Sequence, residues 1–319
     1  MPRRPSNRVQ ILRAPQFAAV PWLVHGFSTR PGGVSRAYGG QALNLGSTQE
    51  DTRAAVERNR ARFVEALGEQ SQPGAAVPHP AHQLRIVGVR QIHSDLIHFV
   101  EGVPEEPLAG DGLITSTPGL LLTVKTADCL PVLLVDPRQR AVSAFHAGWR
   151  GTVKRIVEKG VGEMQRRCGS RPQDLLAAIG PGIGRCCYQV GEEVQEQFAS
   201  QFAYAGELFQ VHREESDVVH ERYPLLFLTA RAPGHSDLGQ KILLDLVEAN
   251  RRQLLDAGLR KANISALDKC TACHPELFFS YRREGPTGRM LAAIGVKVSK
   301  PEGFKVGRFQ SCKASKLQG

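Results

Sequence analysis

The chain alternates short, almost continuous apolar runs with longer stretches in which apolar residues recur every three or four positions. The first pattern is typical of buried strands and the second of helices that bury one face. The predicted strands are VPWLVHGFST, LRIVGVRQIHS, GLLLTVKT, CLPVLLVD, AVSAFHA, DLLAAIG and MLAAIGVKV. The predicted helices are TQEDTRAAVERNRARFVEALG, TVKRIVEKGVGEMQRRCG, VGEEVQEQFASQF and LGQKILLDLVEANRRQLLDAG. Because strands and helices are interleaved, the pattern predicts an α/β fold.

End signals refine two of these helices. Glu50 and Asp51 are predicted to lie in the opening turn of the first helix, and Gly68 to end it. The last helix is predicted to end at Gly258. Its predicted apolar face carries Leu243, Leu246, Leu254 and Leu255. The Pro- and Ala-rich segment QSQPGAAVPHPAH, residues 70–82, is predicted to be an exposed loop.

Length and composition favour one folded domain with irregular ends. The chain has 319 residues, of which 41% are hydrophobic, and it contains no internal repeat or clear linker. We expect a catalytic domain over residues 9–299 and flexible basic tails over residues 1–8 and 300–319.

The sequence contains no run of about 18 apolar residues, so no transmembrane helix is predicted. The N-terminal stretch MPRRPSNRVQILRAPQF is basic but lacks the apolar core and cleavage site of a secretory signal. The 7 cysteines are odd in number and scattered, which favours reduced thiols over a disulfide framework. These features predict a cytoplasmic protein without a membrane partner.

The formal net charge of +10 is concentrated at the two ends of the chain. Four arginines near the N-terminus contribute +4, and residues 297–319 contribute +5. The remainder of the chain is therefore close to neutral. Basic tails of this kind are usually solvated, and nucleic acid is not the expected partner.

Candidate chemistry lies at the ends of two neighbouring predicted strands. Cys129 begins the run CLPVLLVD, His146 lies near the end of AVSAFHA, and only residues 137–140 connect the two runs. If the turn is centred between Pro137 and Arg138, Cys129 lies directly opposite His146 in an antiparallel pair. Opposite side chains share a face, with Cβ atoms roughly 4.5–5.5 Å apart. In that register, sulfur and imidazole nitrogen reach a single ion.

A third candidate ligand is His93, at the polar end of the predicted strand LRIVGVRQIHS. Two histidines and one cysteine suit zinc, and three protein ligands leave the fourth position open, as in catalytic zinc sites. The residues alone leave a second interpretation open. In it, Cys129 is a small buried hydrophobe and the histidines are hydrogen-bonded structural groups.

Seven motifs occur in an order that resembles the YfiH-like family, whose members are labelled laccase-domain or multicopper polyphenol oxidases. The motifs are HGFSTRPGGVS (25–35), LNLG (43–46), RQIHSD (90–95), KTADCLPVLL (125–134), HAGWRGT (146–152), IGPGIGRCCYQVGEEV (179–194) and FFSYRREGPTGR (278–289). The resemblance implies a single-domain α/β sandwich with mixed sheets. It also implies that the metal ligands are His93, Cys129 and His146.

The resemblance further implies phosphorolysis of purine nucleosides, namely adenosine, inosine, guanosine and methylthioadenosine, together with deamination of adenosine. Deamination needs a metal-activated water, which an open zinc position provides. We therefore assign catalysis to Cys129, His146 and Arg30.

Phosphorolysis also needs an anion site beside the ribose. Arg30 is our first choice because it lies on the Gly-rich turn STRPGG, whose backbone can approach a phosphate. Arg150 lies at the predicted entrance of a helix beginning near Thr152, where free N–H groups favour anions. Arg283 of SYRRE is a further candidate. The expected substrate-binding residues are Arg30, Asn44 of the LNLG motif, Arg150 and Arg282.

The laccase label implies copper as the alternative occupant of the same ligands. A multicopper oxidase holds several coppers largely through His-x-His pairs, and the 10 histidines of this chain include no such pair. A His–His–Cys site would nonetheless take up copper, because copper outranks zinc in intrinsic affinity. A copper-dependent polyphenol oxidase is therefore the alternative function.

Two hypotheses of other classes stay open. One is a hydrolase acting on a cell-wall precursor, with Cys129 as nucleophile and His146 as base. The other is a non-enzymatic binding module, which leaves the three convergent ligands unexplained. Metal removal separates the first from the metal enzymes, because a thiol hydrolase survives chelation.

Four further features complete the sequence predictions. CTACH (270–274) matches a haem-attachment pattern, which we interpret as structural because no export signal precedes it. Cys186 and Cys187 are predicted to form a wall of the substrate pocket rather than to bind an ion. Asp128 either orients the ligand that follows it or is a buried acceptor at a strand end. The insertion-like segment 209–237 is predicted to pack over the site or against a partner.

Overall fold

Two large β-sheets form the centre of the protein, whose computed structural model describes residues 8–69, 84–213 and 240–298. The first sheet contains β1 (Ile11–Leu12), β2 (Leu23–Ser28), β4 (Arg85–Gly88), β7 (Leu120–Thr126) and β15 (Met290–Val296). Their order across the sheet is β1-β2-β15-β7-β4. β4 and β7 run parallel and the other pairs are antiparallel. Between β2 and β4 in the chain, β3 (Pro31–Ser35) bridges to Ala42.

The second sheet has six strands and is also mixed. It contains β5 (Ile97–Phe99), β6 (Gly112–Thr115), β8 (Leu130–Asp136), β9 (Ala141–Ala147), β10 (Leu176–Ile179) and β14 (Ile264–Ala266). Their order is β14-β10-β8-β9-β6-β5, with parallel pairs at both edges. A small antiparallel sheet, in the order β11-β13-β12, contains β11 (Gln189–Val190), β12 (Phe209–Arg213) and β13 (Gln240–Leu244).

Helices cover the outer faces of the two large sheets. Within the described residues, the α-helices are α1 (Arg53–Glu69), α2 (Trp149–Val153), α3 (Ile156–Cys168), α4 (Glu192–Gln201), α5 (Ala205–Leu208), α6 (Leu246–Asp256) and α7 (Tyr281–Glu284). Short 3₁₀ helices occur at Pro15–Ala19, Pro172–Asp174 and Lys261–Asn263. No helix of the described ranges is long and apolar enough to cross a membrane.

The main core lies between the two large sheets. Leu122 and Ile294 from the first sheet belong to the same buried cluster as Leu133 and Ala144 from the second. A second cluster joins the outer face of the six-stranded sheet to α3 and α6, and a third joins the five-stranded sheet to α1. The layers therefore run helix, sheet, sheet, helix. The predicted α/β sandwich with mixed sheets is confirmed.

Burial of both faces explains why β8 and β9 appear in the sequence as continuous apolar runs. Leu133 and Val135 point into the core between the sheets, whereas Val132 and Leu134 pack against the helical layer. Every residue of both strands is buried. A regular alternation of apolar and polar residues is therefore absent from these strands, because both of their faces are buried.

Two helix predictions need correction at their N-terminal ends. Glu50 and Asp51 precede α1, and Asp51 accepts hydrogen bonds from Ser35 and Asn44 instead of occupying the helix. The helix predicted from Thr152 begins three residues earlier and is broken. Its two parts, α2 and α3, are separated at Arg155, which is left-handed with φ 61°.

The last predicted helix is wrong over its first third. Residues 240–244 form β13, which is the central strand of the small sheet, and Leu243 therefore lies on a strand. The helix starts after Asp245, whose side chain accepts the Glu248 N–H at 2.9 Å. Pairing with two neighbouring strands satisfies the backbone of β13 and overrides its helical propensity.

The predicted loop at 70–82 and most of segment 209–237 lie outside the described residues, as do residues 1–7 and 299–319.

Candidate metal centre and the cation-lined cavity

The hairpin that carries Cys129 and His146 has a different register from the predicted one. His146 pairs with Pro131, and Cys129 lies just before β8, so the two residues are not directly opposite. The turn is centred between Arg138 and Gln139, whose N–H groups both donate to the Asp136 carboxylate, at 2.8 and 3.0 Å. The offset in pairing is an even number of residues, so both side chains stay on one face.

His93 lies in a loop rather than at the end of a strand. β4 ends at Gly88, and His93 is left-handed with φ 56°. The buried carboxylate of Asp111 holds this loop by accepting the N–H groups of Ile92, His93 and Ser94, at 3.2, 3.1 and 2.6 Å. A loop position therefore supplies the ligand, and a buried carboxylate fixes it.

The structure brings His93, Cys129 and His146 together, with their ligand atoms within 4.8 Å of one another. His146 Nδ1 lies 2.8 Å from Asp111 Oδ1, so Nδ1–H donates to the carboxylate and Nε2 is left for the site. The rings of His93 and His146 meet edge to face, with centroids 5.0 Å apart.

The electrostatics of Cys129 and His146 favour a thiolate beside an imidazolium in the metal-free protein. Burial alone would raise the pKa of Cys129, but the charge of His146 and hydrogen bonds from His146 and His93 lower it to about 6. Burial alone would lower the pKa of His146, but Cys129 and Asp111 raise it to about 9. The pKa of the Asp111 carboxyl lies well below its usual value. Burial would raise it, but His146 and the hydrogen bonds from Ser94 lower it by more.

These donors fit a soft or borderline divalent metal such as zinc. A thiolate and two imidazole nitrogens are typical zinc ligands, and three of them leave a coordination position open. Gly148 allows the close approach, because a Cβ at that position would lie 2.9 Å from Cys129 Sγ and 3.3 Å from the His93 ring. The carboxylate behind His146 is the usual second partner of a metal-binding histidine.

The three residues open onto a cavity of about 580 Å³, a size typical of small-molecule sites. Its lining is Gly46, Ser47, Arg90, Gln91, His93, Lys125, Ala127, Asp128, Cys129, His146, Trp149, Arg150, Ile183, Tyr188, Tyr281, Arg282 and Arg289. Five of these side chains are cationic and one is acidic. Three aromatic rings provide flat apolar surface in the same cavity.

The single acid of the lining, Asp128, is already engaged. It is left-handed with φ 99°, and its carboxylate accepts hydrogen bonds from Thr271 Oγ1 at 2.6 Å and from the Arg282 N–H at 2.7 Å. Asp128 is thus a buried acceptor that ties two other segments to the bend between β7 and β8, the bend that also contains Cys129. This is the second of its two predicted roles. The cavity is left with a strong excess of positive charge.

Arg150 and Arg282 both line the cavity, and their predicted role in substrate binding stays a prediction. The Arg150 guanidinium lies 4.4 Å from the centre of the Trp149 ring. Arg282 donates to the Gln189 carbonyl at 2.6 Å. Arg150 sits inside the first turn of α2, because that helix begins at Trp149.

Arg30 and Asn44 lie outside the lining of the cavity. Arg30 is paired with Glu284 at 2.7 Å and lies over the Phe279 ring. Asn44 is fully buried, and its side-chain oxygen accepts the N–H groups of Gly46 and Arg289, at 3.1 and 2.9 Å. Asn44 therefore positions two residues of the lining, and direct substrate binding by Arg30 and Asn44 stays a prediction.

Sequence reasoning missed Asp111 and three of the cations. Asp111 directly precedes the buried strand β6, and Lys125 interrupts the apolar run of β7; a charge in either place is rare unless it has a partner or a function. Arg90 and Arg289 belong to the RQIHSD and GPTGR motifs, but no role was assigned to them. β4 and β15 both pair with β7, which places Arg90 and Arg289 near Lys125.

Cys186 and Cys187 are absent from the lining, so the predicted cysteine wall is wrong; Ile183 and Tyr188 line the cavity there. Instead, the two thiols form a group with Cys270 and Cys273 of CTACH, with sulfur atoms within 4.8 Å of one another.

The fold and this site define a class of α/β proteins in which a candidate metal centre of two histidines and a cysteine opens onto a cation-lined cavity. Residues 24–297 match the family described as multi-copper polyphenol oxidoreductase laccase, and the chain belongs to that family. The resemblance to the YfiH-like proteins is thereby confirmed.

The similarity to known proteins extends over most of this chain. It is 39% identical to a purine nucleoside phosphorylase of Deinococcus radiodurans, over 90% of this chain and 92% of that protein. It is 33% identical to purine nucleoside phosphorylase YfiH of Escherichia coli, over 84% and 91%. The crystal structure of YlmD from Geobacillus stearothermophilus superposes with a TM-score of 0.70 at 34% identity, covering 93% of this chain and 98% of that chain.

Proposed function

We propose that the protein is a zinc-dependent purine nucleoside phosphorylase that acts on adenosine, inosine, guanosine and methylthioadenosine and also deaminates adenosine. The observation that carries the proposal is the meeting of a His–Cys–His ligand set and five cationic side chains in one cavity. The names of the similar proteins support the reaction class.

Phosphorolysis joins a phosphate oxygen to C1′ of the ribose while the bond from C1′ to the purine nitrogen breaks. The electron pair of that bond leaves with the base, which takes up a proton and departs as the free purine, and ribose 1-phosphate remains. The protein must therefore bind a phosphate dianion, hold the base and stabilise negative charge on the leaving purine.

Lys125, Arg90 and Arg289 are the cations that we assign to phosphate. Lys125 is half-buried. Its pKa is lowered mainly by burial and to a smaller extent by the charges of Arg60 and Arg289. An anion beside it relieves that penalty, because it supplies the opposite charge that the site lacks. The backbone of Lys125 is fixed by two hydrogen bonds of 2.8 Å to the Gln91 side chain, so its position is defined before substrate arrives.

The aromatic rings of Trp149, Tyr188 and Tyr281 provide flat apolar surface for a purine, and the cations beside two of them hold those rings in place. His93, Cys129 and His146 would hold the zinc ion. When bound, such an ion supplies the Lewis-acid chemistry that deamination of adenosine needs. Asp111 keeps His146 in the tautomer that offers Nε2 to this site.

The ligand sets argue against a multicopper oxidase. Among the described residues, the two groups of metal-binding side chains contain only two histidines between them. A type 1 copper together with a trinuclear cluster needs many more. Copper bound by the His–Cys–His set remains the explanation for any oxidation of phenols by this protein.

One observation favours a second function. Cys129, His146 and Asp111 form a chain of nucleophile, base and orienting carboxylate, which is the arrangement of a thiol hydrolase. Chelation distinguishes the two functions, since a thiol hydrolase keeps its activity without metal.

The test is chromatographic. Zinc-loaded protein is incubated with adenosine or inosine, with and without phosphate, beside Cys129→Ala and the control Cys168→Ala, whose thiol lies at the end of α3. We expect phosphate-dependent release of adenine or hypoxanthine by the wild type and the control, and none by Cys129→Ala. Absence of base release from the zinc-loaded wild type contradicts the phosphorylase, and release without phosphate indicates a hydrolase.

A further inference from the structure

A second group of four thiols lies apart from the cavity. Cys186 and Cys187 occupy one turn, and Cys270 and Cys273 occupy another turn more than eighty residues later. Cys273 Sγ lies 3.5 Å from Cys186 Sγ and 3.4 Å from Cys187 Sγ. The proposed reaction uses none of these four side chains.

The spacing of the sulfur atoms is that of ligands around one ion. A tetrahedral zinc with Zn–S bonds of about 2.3 Å separates its sulfur atoms by about 3.8 Å. A disulfide bond joins sulfur atoms at about 2.05 Å. Adjacent cysteines reach the same centre here because residues 185–187 form a turn, in which successive side chains diverge less than they do in a strand.

Backbone groups are aimed at the sulfur of Cys270. The Gly184 N–H donates to it at 3.2 Å, and the Cys273 N–H donates to it across the Cys-x-x-Cys turn. Hydrogen bonds of this kind stabilise a thiolate. Gly184 permits the approach, since a Cβ there would lie 3.2 Å from Cys270 Cβ and 3.3 Å from Cys186 Sγ.

The two turns are also braced independently of their thiols. The Thr271 N–H donates to the Gly182 carbonyl at 2.9 Å, and Arg283 donates to the carbonyls of Thr271 and Ala272, at 2.7 and 3.0 Å. The four sulfur atoms are therefore held near one another before an ion binds, which lowers the ordering cost of binding.

We propose that Cys186, Cys187, Cys270 and Cys273 form a second metal site that holds one zinc ion through four thiolates. Four protein ligands leave no open position, so this ion is structural. It fastens the 182–187 turn to the 270–273 turn. Both turns are tied to Asp128, since Ile183 N–H donates to the Asp128 carbonyl and Thr271 Oγ1 donates to its carboxylate. The ion thus stabilises the part of the cavity wall that contains Asp128 and Ile183, from the side that faces away from the cavity.

The test is the zinc content of the full-length protein, purified from zinc-supplemented culture without chelators and measured by elemental analysis and native mass spectrometry. We expect two zinc ions per chain in the wild type and in the control Cys168→Ser. His93→Ala and Cys273→Ser should each retain one ion, and the double variant none. One ion in the wild type that disappears in His93→Ala overturns the proposal, as does a content that Cys273→Ser leaves unchanged.

A second measurement covers the case in which Cys273→Ser does not fold. His93→Ala is loaded with Co²⁺, which in a tetrahedral thiolate site gives intense visible bands and sulfur-to-metal charge-transfer absorption. We expect both in His93→Ala, and their loss on titration with zinc. If His93→Ala gives neither band, or if mass spectrometry after alkylation finds disulfide bonds among the four cysteines, the proposal is wrong.

Discussion

Asp111 connects two of the three candidate metal ligands: its carboxylate accepts His146 Nδ1–H at 2.8 Å and the His93 N–H at 3.1 Å. One buried side chain therefore sets the tautomer of one histidine and the backbone position of the other. Ser94 adds two further hydrogen bonds to the same carboxylate, at 2.6 and 2.8 Å. Neither Asp111 nor Ser94 belongs to the candidate ligand set.

Asp111→Asn should weaken zinc binding at the His–Cys–His site by about 10- to 100-fold, the usual effect of losing the partner of a metal-binding histidine. The amide cannot stabilise an imidazole as a carboxylate does, and it misaligns the 92–94 loop. The measurement is competition for zinc with a chromophoric chelator. It is made in the Cys273→Ser background, so that the four-cysteine site does not contribute.

The matched control is Asp136→Asn, because Asp136 is also buried and also accepts backbone N–H groups, but in the turn after β8. It should leave zinc affinity unchanged. Equal loss of zinc in both variants would mean that Asp111 acts only through general stability.

Gly148→Ala should abolish metal binding at the same site while the protein still folds. The new methyl group would lie 2.9 Å from Cys129 Sγ, whereas the backbone, with φ −74°, accepts an alanine without strain. Overpacking of this kind costs about 1–3 kcal/mol of the free energy of unfolding. Zinc content and thermal unfolding of the variant test both expectations.

Gly162→Ala is the control, since a Cβ at Gly162 meets nothing within 4 Å and the residue lies within α3. It should stabilise the protein by up to about 1 kcal/mol, because alanine is the better helix former. A Gly148→Ala protein that keeps its full zinc content would contradict the crowding seen at Cys129.

Lys125→Gln should raise the KM for phosphate by roughly 10- to 100-fold, which corresponds to the loss of one hydrogen bond to a charged group. The KM for the nucleoside should change much less, because Lys125 is assigned to phosphate alone. Initial rates at varied phosphate and fixed inosine give both constants. Lys159→Gln is the control, because Lys159 is exposed and paired with Asp95 outside the cavity.

Arg30→Gln belongs in the same series, because Arg30 was the first choice for phosphate on sequence grounds. Its pairing with Glu284 predicts a smaller effect on the KM for phosphate than that of Lys125→Gln. If Arg30→Gln raised the KM for phosphate more than Lys125→Gln did, phosphate would instead bind at the Gly-rich turn that contains Arg30.

His25 should make the protein lose stability as the pH falls below about 6.5. Burial and, secondarily, the charge of Arg13 lower the pKa of His25 to about 3 in the folded state, while its Nε2 accepts the Ala14 N–H at 3.2 Å. The unfolded chain, with an ordinary pKa of about 6.5, binds the proton first, so acid favours unfolding between these two values. At pH 5 the loss is of the order of 2 kcal/mol.

Urea denaturation at pH 7 and pH 5 tests this effect against His25→Gln, which keeps an acceptor but does not titrate. The variant should start from a lower stability, because the contact of the His25 ring with Phe17 is lost. Its stability should then fall less between the two pH values. If the stability of both proteins falls equally between pH 7 and pH 5, then His25 is protonated at pH 5 in the folded state as well, and the prediction is wrong.

The sequence by itself determined most of the interleaved strands and helices, and it indicated the three residues of the candidate metal centre. The run LPVLLV, residues 130–135, is apolar at every position, and only burial of both faces accommodates it. The motifs containing His93, Cys129 and His146 marked the three candidate ligands, which the structure brings within 4.8 Å of one another. These features are local, or depend on residue types that few other sites need.

The tertiary structure alone decided the register of the hairpin, the break at Arg155 and the strand at Gln240–Leu244. Each depends on partners distant in the chain, which override local propensity. The same holds for Asp111, which lies 35 residues from His146, and for the pairing of Cys186 and Cys187 with cysteines more than eighty residues away. A charge or thiol acquires its chemistry from the neighbours that folding brings to it, and those neighbours are not recorded in its local sequence.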